Sequence, residues 1–350
     1  MVLSAMATAH PPAISVLMAV RDGAPFLRDA LASLANQDFR DFEIVLVDNG
    51  SRDETPGIIA AWAEQEPRLR PVRLERPGLA RSLCLAASLA RAPILARLDA
   101  DDVAMPSRLG LQYAAMQRSP SLGLLGSSVE VINSVGQKIG ERHLPAPDGA
   151  LREFLKSGNP FVHSSVMMRR EAYERAGGYR EGLRVCEDFD LWCRMAEVTD
   201  VAGLDALLVR YRIHRESMSF RQTTRVALTD VCIIAAQHAR RAAKPEPFDR
   251  GMPKLRHALA LLNIRRDEIL YRALKAVTGA ARLALEFGED ARADHIRRRA
   301  YRLLAALPFG KATLGGAGHI LASYFRRYSR RRRQDLRAKL LGRGSSVGEQ

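Results

Sequence analysis

ISVLMAVRDGAPFLRDALASLANQDFRDFEIVLVDNGSRDET, residues 14–55, reads as strand, helix, strand. Ile14–Val20 is an apolar run ended by Arg21-Asp22-Gly23, the pattern of a buried strand followed by a turn. From Phe26 to Leu34 the apolar residues Phe26, Leu27, Ala30, Leu31 and Leu34 fall at helical spacing. Phe42–Val47 is a second buried strand and stops at Asp48-Asn49-Gly50-Ser51. Thr55–Trp62 reads as a helix, Pro71–Leu74 as a strand and Gly78–Ala90 as a helix, and strand Pro93–Leu98 ends in Asp99-Ala100-Asp101-Asp102. Strand–helix repeats of this length predict an α/β protein with a parallel sheet covered by helices. In such sheets ligands sit beyond the carboxyl ends of the strands, so Asp22, Asp48 and the 99–102 cluster are expected to converge on one crevice.

Outward from this core the pattern changes. Leu122–Ile132 looks like strands, Glu187–Ala196 like a short helix and Ala206–Tyr211 like a strand. From residue 222, Ala/Leu/Arg segments at helical spacing dominate, broken near Pro245–Pro253 and Pro308–Gly316, with no fixed-period repeat. The expected organisation is a disordered N-terminus (1–12), an α/β domain (13–220), a helical basic region (221–341) and a disordered tail (342–350).

The 350 residues are 47% apolar, enough for a sizeable core, which excludes global disorder. Charge is unevenly placed. Residues 1–220 hold 26 Lys/Arg against 28 Asp/Glu, whereas residues 221–350 hold 28 against 11, a net of +17. Phosphate-bearing surfaces, above all an anionic membrane, are the natural partners of such a segment. Cys84, Cys186, Cys193 and Cys232 form no CxxC pair, which suits a reducing compartment. Met1–Pro12 lacks the features of a secretory signal, and no run approaches the ~20 apolar residues of a membrane span. The expectation is a cytoplasmic protein, peripheral at the inner face of the cytoplasmic membrane.

Four segments could carry chemistry, and each has a bland alternative. Residues two apart at a strand end point the same way, so Asp99 and Asp101 would present two hard oxygen ligands to one Mg2+ or Mn2+ ion. Alternatively the segment is an acidic turn capping the next helix, with Asp102 as cap and Pro106 in its first turn. Asp48 could accept the imide N–H of a uracil or thymine ring, or could simply belong to a turn before an N-cap. Glu187, Asp188 and Asp190 could supply a general base, or merely favourable charge at a helix N-terminus. His163 and His214 each read as a ligand or as a hydrogen-bonded structural residue.

The ordered set resembles the family 2 glycosyltransferases with the GT-A fold. The stretch already quoted carries the resemblance together with ARLDADDVAMPSRLGLQ, NPFVHSSVMMRREAYERAGGYRE, CEDFDLWCRMAE and YRIHRESMS, across roughly residues 13–219. It implies a GT-A (Rossmann-like nucleotide-diphospho-sugar transferase) domain followed by the helical basic region. It implies that Asp48 binds the base of a nucleotide diphosphate sugar, with the Val20 backbone and Asp22 lining the same pocket, and that Asp99 holds the ribose or donor sugar. Asp101 and His214 would ligate the divalent metal, Mn2+ or Mg2+. Gly177 and Gly178 would form a glycine turn near the acceptor, alongside Glu187, and Asp188 would be the catalytic base of an inverting displacement. The acceptor would be a saccharide or lipid-linked, in bacterial cell-surface polysaccharide or glycolipid assembly. The chain departs from the family at Ala19-Val20-Arg21-Asp22, where Pro-Val-Tyr-Asn is frequent, and at Cys84 and Ala86, where Asn and Gly are frequent.

Two other classes fit the sequence less well. A catalytically inactive, transferase-like membrane or partner-binding protein would be expected to have lost part of the set Asp48, Asp99, Asp101, Asp188 and His214, which is intact. Nucleic-acid binding has the charge but lacks a reading motif or an aromatic platform. One further expectation concerns His319 to Leu341, which reads as a basic amphipathic helix suited to a bilayer interface. Its apolar stripe is Ile320, Leu321, Tyr324, Phe325 and Tyr328, and arginines crowd its end.

Overall fold

A computed structural model describes residues 10–144, 149–214, 216–218, 222–246 and 248. Four strands, β1 (Ile14–Val20), β2 (Phe42–Asp48), β3 (Leu69–Arg73) and β4 (Ile94–Arg97), lie parallel in the order β3-β2-β1-β4. They are linked by α1 (Leu27–Ala35), α2 (Thr55–Gln65) and α3 (Leu79–Leu89). Every residue of β1 and β2 is buried, as expected for strands covered on both faces. Alternate residues serve opposite cores. Val16, Met18 and Val20 pack with Leu27, Leu31 and Leu34 of α1 and with Ile58 and Ile59 of α2. Leu17, Ala19, Val45 and Val47 pack with Leu83, Ala86 and Ala87 of α3.

Beyond β4 the sheet is no longer parallel, in the part of the chain where the strand–helix alternation stops. Strand β8 (Met167–Arg169) runs antiparallel to β4, and β6 (Leu122–Ile132) antiparallel to β8. Strand β9 (Asp200–Arg212) then lies parallel to β6 and pairs at its far end with the short β5 (Val103–Ala104). A hairpin strand, β7 (Lys138–Arg142), completes nine strands among the described residues. The α/β class thus holds, while the second half of the sheet is mixed. The intervening helices are α4 (Arg108–Arg118), α5 (Ala150–Phe154), α6 (Arg170–Arg175) and α7 (Glu187–Val198). Helix α4 begins after Ser107, so Asp102 caps nothing and Pro106 precedes the helix; the residues between them form β5.

The chain divides into two units. The first comprises 1–221 and 232–262, the second 222–231 and 263–350. Helix α8 (Thr223–Arg241) begins in the second unit, where Arg225 donates to Gln222 Oε1 at 2.8 Å. Within the first unit, Ile233 and Ile234 join the core beside α3, and Arg240 bridges Glu197 at 2.9 Å and Glu246 at 2.6 Å. Among the described residues no helix is long and apolar enough to cross a membrane. The amphipathic pattern at 319–341 and the tail at 342–350 lie outside the described residues, as do residues 1–9.

Candidate active site

The crevice forms where β1, β2, β4 and β9 end. After β1 the chain turns at Asp22, whose φ of 51° is left-handed, a conformation that short Asp side chains tolerate. Side chains from the segment after β2 hold that turn. The amides of Asp22, Gly23 and Ala24 donate to Ser51 Oγ (3.0 Å), Thr55 Oγ1 (2.9 Å) and Asp53 Oδ2 (3.1 Å), and the Arg52 amide returns a bond to Asp22 Oδ1 (2.8 Å). The buried Val20 accepts the Asn49 amide at its carbonyl (2.8 Å), and Asn49 Oδ1 accepts the Gly78 amide at the start of α3 (2.7 Å). Asp48, 4% exposed, accepts the Ser51 amide at Oδ1 (2.9 Å) and faces Arg73 at 3.3 Å through Oδ2. Val20, Asp22 and Asp48 therefore share one rigid corner.

The 99–102 segment is a tight turn, closed by the Asp102 amide on Asp99 O at 3.3 Å, and not a continuation of β4. The two-residue alternation argued from the sequence holds only inside a strand, so Asp99 and Asp101 take different partners. Asp99 pairs with the fully buried Arg97 and accepts the Ser164 hydroxyl at 3.0 Å, while its own amide donates to Ser164 Oγ at 2.9 Å. Burial would raise the Asp99 carboxyl, but the Arg97 guanidinium and the hydrogen bonds outweigh it and hold it below the usual range. Asp101 Oδ2 instead meets His214 Nε2 at 2.9 Å. Asp102 is buried and accepts the Arg212 amide at 2.7 Å; burial and then the charges of Asp101 and Asp99 push its carboxyl well up.

Asp101 and His214 lie 113 positions apart, and Arg212 fastens the join. Its Nε donates to Asp101 O (2.8 Å), its Nη1 to Ser134 O (3.2 Å) and its Nη2 to Asp29 Oδ2 (3.0 Å). Phe26 packs on the His214 ring with centroids 4.6 Å apart, and the Arg212 guanidinium covers Phe26 at 4.8 Å. These two atoms are hydrogen-bonded to each other; an ion seated here would replace that bond, and the carboxylate is the member that suits Mn2+ or Mg2+. Among the described residues no group of three or more His, Cys, Asp or Glu is placed to hold an ion, so such an ion would complete its shell from phosphates and water.

The third part is the start of α7. Cys186 enters the helix with φ 60°, and Glu187 and Asp188 occupy the first turn. Asp188 Oδ2 accepts Asn159 Nδ2 at 2.8 Å. Burial raises its carboxyl, opposed by hydrogen bonds from the Phe189 amide and Asn159. Glu187, 4% exposed, is pushed up to about 8 by burial and by the Asp188 charge. His163 Nδ1 stands 4.0 Å from Glu187, and its Nε2 hydrogen-bonds the Tyr179 hydroxyl at 2.8 Å. Burial and then Arg97 pull His163 down to about 3, so it stays neutral. Asp190 is fully buried and held by Arg194 (2.7 Å) and Arg180 (3.5 Å), which removes it as a candidate base.

Gly177 (φ 80°) and Gly178 (φ 62°) end α6, with the Gly178 amide on Tyr173 O at 2.9 Å. A Cβ on Gly178 would meet the Tyr173 hydroxyl at 2.8 Å. The close approach that needs glycine here is that of Tyr173. Asn159, His163, Ser164, Arg212 and Phe26 entered the site without having been assigned to it from the sequence; only His163 had been noted, as a lone histidine.

Comparison with known proteins follows the same outline. A family model described as Glycosyl transferase family 2 matches residues 15–177. The O-antigen biosynthesis glycosyltransferase WbnJ of Escherichia coli is 31% identical over 208 residues, 58% of this chain and 81% of that one. The amylovoran biosynthesis glycosyltransferase AmsE of Erwinia amylovora is 31% identical over 199 residues, 56% of this chain and 74% of that one. Among solved structures, the mannosyltransferase PcManGT of Pyrobaculum calidifontis, in complex with GDP-Man and Mn2+, matches with a TM-score of 0.52 at 21% identity. That match covers 88% of this chain and 86% of the other, and it shows a shared fold.

Proposed function

This chain belongs to glycosyl transferase family 2, and from that premise we propose that it is a metal-dependent, inverting transferase. It moves a sugar from a nucleotide diphosphate sugar to an acceptor hydroxyl, in the assembly of a bacterial cell-surface polysaccharide or glycolipid. The observation that carries the reading is the Asp101–His214 contact of 2.9 Å, which joins the end of the parallel half to the end of the last strand. The products in the names of the relatives, O-antigen and amylovoran, support the pathway class.

In this reading Asp48 accepts the imide N–H of the base, in the corner built by Val20 and Asp22. Asp99, ionised beside Arg97, accepts hydroxyls of the ribose or donor sugar. Asp101 and His214 would hold a divalent ion, which when bound would supply Lewis-acid stabilisation of charge on the leaving diphosphate. Asp188 takes the proton of the acceptor hydroxyl as that oxygen attacks the anomeric carbon; the bond to the diphosphate breaks and the configuration inverts. Glu187 keeps its own proton at neutral pH, so the buried pair carries one negative charge, and Asp188 is the member that bears it. Asn159 aims that carboxylate. A positioned base of this kind contributes about 10²–10⁴-fold.

The +17 of residues 221–350 supports attachment to an anionic membrane, which would bring a lipid-linked acceptor to the crevice. The deciding experiment is a panel of UDP- and GDP-sugars scored for diphosphate release with and without Mn2+ or Mg2+. Release from no donor under either ion would overturn the reading.

A further inference from the structure

A cavity of about 140 Å³ is lined in part by Asn159, the residue that donates to Asp188. Its inner end is made by buried residues, Ser127 and Val129 of β6 and Val162. Both line the cavity although the pairing of β6 with β9 shifts register between them. Toward solvent the cavity is lined by Phe154, 45% exposed, and by Arg142 and His143. One side chain, Asn159, therefore separates the cavity from the carboxylate assigned as base.

Two features say what fits there. Ser127 is 1% exposed, yet its Oγ has no hydrogen-bond partner. A buried hydroxyl left unpaired costs about 1–3 kcal/mol, a cost that a hydroxyl-bearing ligand would remove. Apolar Val129 and Val162 with an exposed aromatic ring suit the C–H face of a sugar. The second feature is charge. His143 is held between Asp205 (2.8 Å) and Glu141 (2.9 Å), which balance it, whereas Arg142 has no ion pair among the described residues. The volume is well below the ~300–1,000 Å³ of a drug-sized pocket, so at most one ring is seated, part of it left toward solvent, and a chain of rings is not.

We propose that this cavity is the acceptor subsite and takes a single pyranose, with hydroxyls on Ser127 and Asn159 and an anionic group beside Arg142. The proposal rests on the transferase reading. The anion could be a ring phosphate, as in a glycosyl phosphate, or the carboxylate of a uronic acid; both present oxygens that a guanidinium can bind.

The test is saturation-transfer NMR and titration of the full chain with hexose 1-phosphates, methyl hexuronates and neutral methyl hexosides in gluco, galacto and manno configuration. A charged probe is expected to bind about tenfold or more tighter than its neutral counterpart, and Arg142→Gln should abolish that preference. Which charged probe binds identifies the anion. Ser127→Ala should weaken every pyranose about three- to tenfold, while its thermal midpoint stays equal or rises because an unpaired hydroxyl has gone. Binding of no probe, or binding unchanged in both variants, overturns the proposal. The donor panel separates the two readings. Diphosphate release without pyranose binding sinks only the subsite, whereas pyranose binding without release from any donor sinks the transferase reading and the acceptor assignment with it.

Discussion

Glu187→Gln isolates the protonation state of the carboxyl pair at the start of α7. Glu187 is 4% exposed and raised from 4.5 to about 8, by burial first and then by the Asp188 charge. The native state thus holds this proton more tightly than the unfolded chain does. The sign follows: the contribution to stability is complete below pH ~4.5 and is lost as pH rises through about 8. At saturation the loss is about 5 kcal/mol, at 1.36 kcal/mol for each pH unit separating the two states. A glutamine cannot ionise, so the variant escapes the loss. It also mimics the protonated acid that the fold holds at neutral pH. His163 works in the other direction. Pulled down to about 3, it contributes stability above pH 6.5 that fades as pH falls toward 3. It does so in both proteins and cancels in their difference.

The assay is thermal unfolding of wild type and Glu187→Gln between pH 5 and 9. The two curves should separate from about pH 5 upward, mostly below pH 8, and level off above it, in favour of the variant, by up to about 10 °C at pH 9, taking roughly 2 °C per kcal/mol for a chain of this size. Transfer at pH 7 should survive the change, because Asp188 retains its charge. A difference curve that is flat across this range means Glu187 ionises in the fold as it does in water. The argument that the pair carries a single charge then fails. An inactive Glu187→Gln alongside an active Asp188→Asn would exchange the two roles.

Four further outcomes are expected. Asp101→Asn should lose nearly all metal-dependent transfer with its unfolding midpoint within a few degrees of wild type; activity within a few-fold at saturating Mn2+ or Mg2+ counts against the ligand assignment. Asp188→Asn should bind donor calorimetrically as wild type does while transfer falls about 10²–10⁴-fold, since only proton removal is lost. Arg212→Ala removes a buried guanidinium from Asp101 O, Ser134 O and the exposed Asp29, and should cost about 1–3 kcal/mol in urea unfolding together with a weakened Mn2+ titration. Truncation after Gly316 should leave donor hydrolysis in place but abolish co-sedimentation with anionic vesicles at low salt.

The parallel half was legible in the sequence for a simple reason. Strands buried on both faces must be unbroken apolar runs, and Ile14–Val20 and Phe42–Val47 can be little else. The reversal at β8 was not legible, because Met167–Arg169 is three residues long and too short to show a period. The alternative of Asp102 as a cap fitted its polarity and the nearby Pro106; its actual partner, the Arg212 amide, is 110 positions away. The same limit applies to the site. The carboxylates and His214 could be named by type, and family resemblance ordered them, but local pattern carries no trace of Phe26 on His214 or Asn159 on Asp188. Those contacts are made by tertiary structure alone.

Asp101 and His214 also date the site within the life of the chain. The first is in place once β4 and its turn have formed; the second arrives only when β9 docks along β6 and closes on β5. Contacts of such long sequence separation are paid for late, after the entropy of closing the intervening loop. On the proposed reading, the contacts that build the donor corner span far fewer residues than the Asp101–His214 pair, so the pair is the part of the site that depends on docking of the last strand.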